Sequence, residues 1–231
     1  MNSLESELET ARELAVGELA DAIESVGFSC TRCGACCTRE DEDDHTATVF
    51  PDEVRALASA TDGEWRDVAR PMPYGLTETD EGTLEGETFE WALQTDSCGD
   101  CVFYEETDGT GACVAHADRP LICQTYPFSI ALDGTSQPMG EPVDSVALPA
   151  QRGAGDEAGM VRTHECEGLG RDISRADAEE LAAALKARTI RELEEAISLR
   201  DAYEPAGPGP GEVVVHDSEG AKRVDGTSLE E

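Results

Sequence analysis

Cys30-Thr31-Arg32-Cys33-Gly34-Ala35-Cys36-Cys37 places four cysteines within eight residues. Five more follow at Cys98, Cys101, Cys113, Cys123 and Cys166. Thiolate sulfur is a soft ligand, and two-residue gaps let successive sulfurs turn inward on one metal, as in structural zinc sites and iron–sulfur clusters. The rest of the chain then acts as a frame that returns the later cysteines to the first four. Cys36 and Cys37 are adjacent, and neighbours on an extended chain point to opposite sides. They are poorly placed to grip one small ion. The simpler arrangement sends one to a first site and the other to a second, as a cysteine run is divided in two-cluster ferredoxins. Eight cysteines make two four-sulfur sites, and the ninth is spare.

Composition sets the setting for these ligands. A chain of 231 residues suffices for one domain, or one domain with a tail. Its apolar share is 39% with 5% aromatics, a lean core. Metal coordination can make up the difference, since structural zinc contributes roughly 10–16 kcal/mol at neutral pH. The 51 acids outnumber the 17 bases, for a net charge of −34. Such a surface repels nucleic-acid phosphates and anionic membranes, so neither is expected as a partner. The acids run through amphipathic segments rather than tails, and lysine is nearly absent while arginine is kept. This favours a folded protein from a salt-saturated cytoplasm, where screening removes self-repulsion, over an acidic disordered chain. Its melting temperature is expected to rise with potassium chloride into the molar range; a flat or falling profile overturns that reading. The stretch Met1-Asn2-Ser3-Leu4-Glu5 has no apolar run, and no segment of about 20 apolar residues exists, so a cytoplasmic location is expected. Cysteines in that compartment are ligands before they are disulfides.

Along the chain, Leu4, Leu8, Ala11, Ala15, Leu19, Ile23 and Val26 recur at steps of three and four, predicting one helix from Leu4 to Val26 that stops at Gly27. Thr46 to Phe50 reads as a strand and Pro51 to Ala60 as a helix with proline and acids in its first turn. Trp65 and Val68 predict a short helix. Tyr74 to Gly86 reads as an exposed insertion. Phe89, Trp91 and Leu93 alternate as a strand, with Trp91 in the core. Glu105 to Gly111 reads as a hairpin turn. Asp118-Arg119-Pro120 opens a short helix with Asp118 as cap, carrying Cys123 on or just beyond it. Asp133 to Gly159 lacks any period, and Val161 to Thr163 reads as a strand. Ser174 with Asp177 resembles a capping box for a helix to Ala187. Thr189 with Glu192 starts another to Ala202. Gly207 to Gly211 is a linker. Val213-Val214-Val215 and Ala221 to Val224 form a hairpin, and the last residues are expected to be disordered.

Other chemistries weigh less. His116 and His164 lie near Cys113 and Cys166 and would suit a mixed cysteine–histidine zinc site, but sulfur ligands already suffice. Cys98 and Cys101 form a CxxC pair without the strand–CxxC–helix setting of a redox dithiol. The acidic run Glu40 to Asp44 lacks the spaced ligands of a calcium loop and reads as a solvated loop. Gly153, Gly155 and Gly159 follow no strand and fit no phosphate-loop spacing.

These residues resemble the CxxCxxCC cysteine-cluster family, the YkgJ type, commonly labelled zinc- or iron-chelating. That family pairs the CxxCxxCC run with a later cysteine before a short apolar run, here Cys101-Val102-Phe103. A Cys…Arg-Pro…Cys block follows, here Cys113, Arg119-Pro120 and Cys123, then an aromatic and Pro-Phe, here Tyr126-Pro127-Phe128. A final cysteine with glycines, here Cys166 and Gly168, completes the pattern. The likeness runs from Gly27 to Gly170 and takes in eight cysteines. Cys98 lies outside it, and Gln124 stands where the family often has arginine. The resemblance implies a metal centre on Cys30, Cys33, Cys36, Cys37, Cys101, Cys113, Cys123 and Cys166. Some members are labelled iron–sulfur oxidoreductases, and longer relatives include flagellin lysine methylases. The chain shows no convincing S-adenosylmethionine loop, which leaves a methyltransferase-like enzyme the weakest reading.

The expected fold is therefore a small, irregular α+β domain stabilised by metal, with an N-terminal helix and a C-terminal helical pair. Its parts are an N-terminal helix over 1–27, a cysteine-cluster metal-binding domain over 28–172, C-terminal helices over 173–203, and a linker, hairpin and tail over 204–231. The expected cofactor is an iron–sulfur cluster, with zinc as the alternative. The first implies electron transfer with a protein redox partner, the second an accessory or interaction module.

Overall fold

In a computed structural model the described residues are 3–39, 44–80, 82–132, 139, 141–149 and 159–229. The chain is mixed α and β, with several small sheets and one long C-terminal helix. It divides into two compact units, one of residues 1–36 and 121–194, the other of 37–120 and 195–231. No helix among the described residues is long and apolar enough to cross a membrane.

The first unit opens with α1 (Leu4–Glu13) and α2 (Val16–Val26). The single helix predicted over Leu4 to Val26 is thus two. Leu14 (ψ 128°) and Ala15 (ψ 121°) are extended between them. The break is stabilised from elsewhere in the unit, because Lys186 Nζ donates to the carbonyls of Arg12 and Leu14 at 2.7 Å each. Those carbonyls would otherwise end a helix unpaired.

The second unit takes up the chain with β1 (Thr48–Val49), α3 (Pro51–Thr61), α4 (Trp65–Val68), β2 (Ala69–Pro71), β3 (Thr77–Glu78), β4 (Leu84–Phe89), β5 (Trp91–Leu93), β6 (Tyr104–Thr107) and β7 (Thr110–Cys113). The insertion expected over Tyr74 to Gly86 is largely exposed among its described residues, as predicted, but it carries β3 and the start of β4 and so belongs to a sheet. β3 and β4 pair, and the Thr88 hydroxyl donates to the carbonyls of Met72 and Tyr74 at 2.7 Å each. The alternation across Phe89, Trp91 and Leu93 is not one strand either. Glu90 sits at φ +68°, the left-handed region a non-glycine residue rarely adopts, and there the chain passes from one sheet to another. A turn at Asp108-Gly109 joins β6 and β7, as the sequence predicted. Asp118 lies in a 3₁₀ turn, His116–Asp118, rather than capping a helix.

The chain then re-enters the first unit through α5 (Leu121–Thr125), β8 (Phe128–Ile130), β9 (Asp144–Val146) and β10 (Val161–Thr163), the strands ordered β8-β10-β9. β9 falls inside the aperiodic stretch Asp133 to Gly159; Gly153 and Gly155 lie outside the described residues, as do 40–43 of the acidic run. The predicted helical pair is one helix, α6 (Arg175–Ala202). Ser174 caps it, its hydroxyl accepting from Asp177 N–H at 3.2 Å. The second capping pattern is mid-helix: Thr189 Oγ1 bonds back to Leu185 O at 2.9 Å, and Glu192 pairs with Arg188 at 2.7 Å. In the first unit Leu19 and Ile23 of α2, Phe128 and Ile130 of β8, Val161, and Ala182 of α6 form one buried cluster.

The second unit closes with β11 (Val213–Asp217) and β12 (Gly220–Arg223), the predicted hairpin, which extends the order β12-β11-β4-β3 by a parallel pairing of β11 on β4. Leu229 N–H donates to Ala221 O, so the chain is tied down as far as Leu229; the last two residues, expected to be disordered, lie outside the described residues. Trp91 is fully buried, its ring edge-on to Trp65 at 5.0 Å. Burying an aromatic of this size contributes about 4–6 kcal/mol on transfer arithmetic.

The hairpin is tied to α3 by Glu219, which takes both Arg55 guanidinium nitrogens at 2.6 and 3.1 Å and Lys222 Nζ at 2.7 Å. Arg55 above all, then Lys222, holds the Glu219 carboxyl down at about 2 against the opposing effect of burial. A depressed carboxylate adds stability that is fully present above its unfolded value of 4.5 and is lost as pH falls towards 2. Acid unfolding followed by circular dichroism is expected to show this loss, and Glu219→Gln to flatten it. Equal acid slopes in both proteins would refute the link.

Candidate metal centre

The cysteine run emerges from α2 and lies in a loop. Arg32 (φ +58°) and Gly34 (φ +83°) flank Cys33 in left-handed conformation. For arginine this costs roughly 1–2 kcal/mol, so the loop is held in a shape that its own sequence does not prefer. Repeated left-handed residues coil the backbone and turn Cys30, Cys33 and Cys36 away from the alternation of an extended strand. All three are exposed.

Cys166 is brought to this loop by backbone pairing within the first unit. Phe28 bridges Leu169, Ser29 N–H donates to Gly168 O at 3.0 Å, and Gly170 N–H donates to Gly27 O at 3.0 Å. Gly168 N–H also donates to Cys166 Sγ at 3.4 Å, a bond that favours thiolate. Burial is the largest influence on the Cys166 thiol and pushes it up. The Gly168 bond opposes that, and Cys33, Cys36 and Cys30 push it further up. Cys166 thus stands in the field of the three cysteines of the run.

In the second unit Cys101 N–H donates to Cys37 O at 2.8 Å, and Cys113 lies opposite Tyr104 in the β6–β7 hairpin. Cys101 is buried, Cys37 and Cys113 are half-buried and Cys98 is exposed. The boundary between the units falls between Cys36 and Cys37. The first unit thus holds Cys30, Cys33, Cys36, Cys123 and Cys166, and the second Cys37, Cys98, Cys101 and Cys113. Cys123 stands half-buried on α5, the short helix foreseen for it. Among the described residues no three His, Cys, Asp or Glu side chains are drawn together closely enough to hold an ion. What the first unit does show is backbone pairing that sets the Cys166 segment beside the cysteine run.

His164 is buried and its Nε2 is engaged with Ser129 Oγ at 2.8 Å, so that nitrogen serves a hydrogen bond inside the unit. Burial, followed by the Arg188 and Arg162 charges, lowers its pKa below the ordinary imidazole value. His116 sits on the exposed 3₁₀ turn of the other unit.

Residues 29–167, which take in all nine cysteines, match the CxxCxxCC family model, described as "Putative zinc- or iron-chelating domain". The chain belongs to the CxxCxxCC family. No curated protein matches the chain, and no solved structure does.

For a CxxCxxCC protein the donors of the first unit suit zinc or iron: five thiols, one already taking an N–H···S bond, and no competing carboxylate in the run itself. The buried Thr31 Oγ1, between Cys30 and Cys33, has no hydrogen-bond partner among the described residues, which leaves a hydroxyl to serve a bound centre. Neither Thr31 nor Arg32 carries a signal in the sequence. Gly168 does, as the glycine two places after the last cysteine.

Proposed function

We propose that the first unit of this CxxCxxCC protein binds an iron–sulfur cluster through Cys30, Cys33, Cys36 and Cys166 and serves electron transfer. The observation that supports the reading is the backbone pairing of residues 27–29 with 168–170, which sets the segment carrying Cys166 beside the loop carrying the other three. Three cysteines at two-residue intervals with a fourth from far along the chain is a ferredoxin-like ligand spacing, whereas structural zinc sites more often use paired CxxC knuckles.

A bound cluster supplies a one-electron couple. The chain's own residues do the rest. Cysteine thiolates carry the centre's negative charge, and Gly168 N–H offsets part of it at Cys166. Exposure of Cys30, Cys33 and Cys36 keeps the centre at the surface of its unit, within reach of a protein redox partner. An acidic chain of this kind favours a partner with a basic docking face.

Anaerobic purification with quantification of iron, zinc and acid-labile sulfide tests the reading. The expected result is brown protein containing iron and sulfide, whose visible absorption bleaches on reduction. Colourless protein with zinc as its sole metal would replace it with a structural zinc module.

A further inference from the structure

We propose that Cys37, Cys98, Cys101 and Cys113 form a second metal site, contained within the second unit, that takes a single tetrahedral ion such as zinc. Cys98, outside the family pattern, thereby becomes a ligand, and the ninth thiol is Cys123.

The argument begins with a tight turn. Cys98-Gly99-Asp100-Cys101 is closed on itself: Asp96 Oδ1 accepts the N–H groups of Cys98 at 2.8 Å and Asp100 at 3.1 Å, Gly99 N–H returns to Asp96 O at 3.1 Å, and Asp96 N–H donates to Asp100 O at 2.8 Å. Gly99 is left-handed at φ +85°, and Thr95 bridges Cys101 at the base. Two cysteines separated by two residues on such a turn form the knuckle of structural zinc sites.

The segments that carry the other two cysteines reach the same turn by separate routes. The Cys37 carbonyl accepts Cys101 N–H at 2.8 Å, and two further residues bond to the same turn, Arg39 N–H to Asp100 Oδ1 and His45 N–H to Gly99 O, both 2.8 Å. Cys113 arrives through β7. Tyr104 N–H donates to Cys101 O at 2.9 Å, Cys113 is directly opposite Tyr104, and Val114 N–H closes on Phe103 O at 2.9 Å. Opposite residues of an antiparallel pair share a face, so Cys113 lies on the side of Tyr104.

The need for an ion is physical. β6 and β7 form an isolated two-stranded sheet, marginal alone in water. The turn beside it is secured mainly by aspartate hydrogen bonds. A four-thiolate ion would staple the turn, the hairpin and the Cys37 segment, which is how small loop-rich regions with thin cores are stabilised. One knuckle plus two single thiols, with no third cysteine in step, suits one ion rather than a cluster.

The test uses full-length protein purified anaerobically. Wild type is expected to contain one zinc per chain besides the iron of the first unit. Cys98→Ala is expected to lower zinc retention against a chelator roughly tenfold or more while leaving iron unchanged. Cys30→Ala should remove iron and spare zinc, so failure of the first-unit reading is seen separately. Should Cys98→Ala not fold, alkylation mapped by mass spectrometry in wild type decides. Exposed Cys98 is expected to resist iodoacetamide until zinc is stripped. Unchanged zinc in Cys98→Ala, absence of zinc in wild type, or immediate alkylation of Cys98 in the zinc-loaded protein would each overturn the site.

Discussion

Gly168→Ala is expected to strip the metal from the first unit while leaving its helices folded. A Cβ built at residue 168 would stand 2.6 Å from Ser29 O and 2.9 Å from Phe28 Cε2. The first of these is backbone and cannot swing aside. The same residue accepts Ser29 N–H and donates to Cys166 Sγ, so relief of the clash would pull apart the contact that presents Cys166 to the cysteine run. Overpacking of this kind costs about 1–3 kcal/mol. Misplacing one of four ligands is expected to lower metal retention roughly tenfold or more, as loss of an orienting contact does elsewhere. Gly170→Ala is the control. It has φ +73° but open space around it, so it should cost about 1 kcal/mol of backbone strain and keep its metal. Metal quantification and melting of both variants check this. A Gly168→Ala protein with wild-type metal content would show that the 27–29 and 168–170 pairing does not hold the site.

The contrast between these glycines shows what a sequence can disclose about such a molecule. The cysteine run was legible because metal spacing is local and its chemistry is carried by one residue type. The placement of Cys166 rests on a close backbone approach between segments far apart in the chain; Gly168 stands out in the sequence as the glycine after the last cysteine, but nothing local says that a close approach requires it. β4 was missed for a related reason. Leu84-Glu85-Gly86-Glu87-Thr88-Phe89 has little strand character alone and becomes a strand by lying parallel to Val213–His216. The hairpin Val213–Asp217 with Gly220–Arg223 could be read because its signal, a β-branched run and a turn, is contiguous.

Helix boundaries failed in two opposite ways. In the N-terminal segment the apolar stripe stays in phase across Leu14 and Ala15, so nothing local marks the break; its cause is Lys186, which satisfies the exposed carbonyls. In α6 the pattern Thr189-x-x-Glu192 imitates a capping box, yet the buried hydroxyl turns back to Leu185 O, and Glu192 serves buried Arg188. In both cases a charged side chain decided the outcome. Adjacent Cys36 and Cys37 are a different matter: the unit boundary runs between them, which leaves open whether they serve one metal or two.

Lys222→Met is expected to be among the most destabilising single changes in the second unit. The chain has two lysines against 51 acids, and both are placed where the ammonium is used. Lys222 Nζ lies 2.9 Å from Asp217 Oδ2 and 2.7 Å from Glu219 Oε2, and 5.1 Å above the Trp65 ring. Asp217, 3% exposed, also accepts Trp91 Nε1 at 2.8 Å. Methionine keeps the apolar stem and removes the charge, leaving a buried carboxylate with neutral donors alone. Breaking one side of a buried pair costs about 3–5 kcal/mol, which is a large share of a domain's net stability. Denaturant unfolding of the two proteins measures it. The double variant Lys222→Met with Asp217→Asn should recover most of the loss, because the stranded charge goes with its partner. Salt should not rescue the single variant, since a buried pair is screened far less than the acidic surface. A loss below about 1 kcal/mol would place this lysine among ordinary surface pairs and remove the electrostatic account of why the chain retains it.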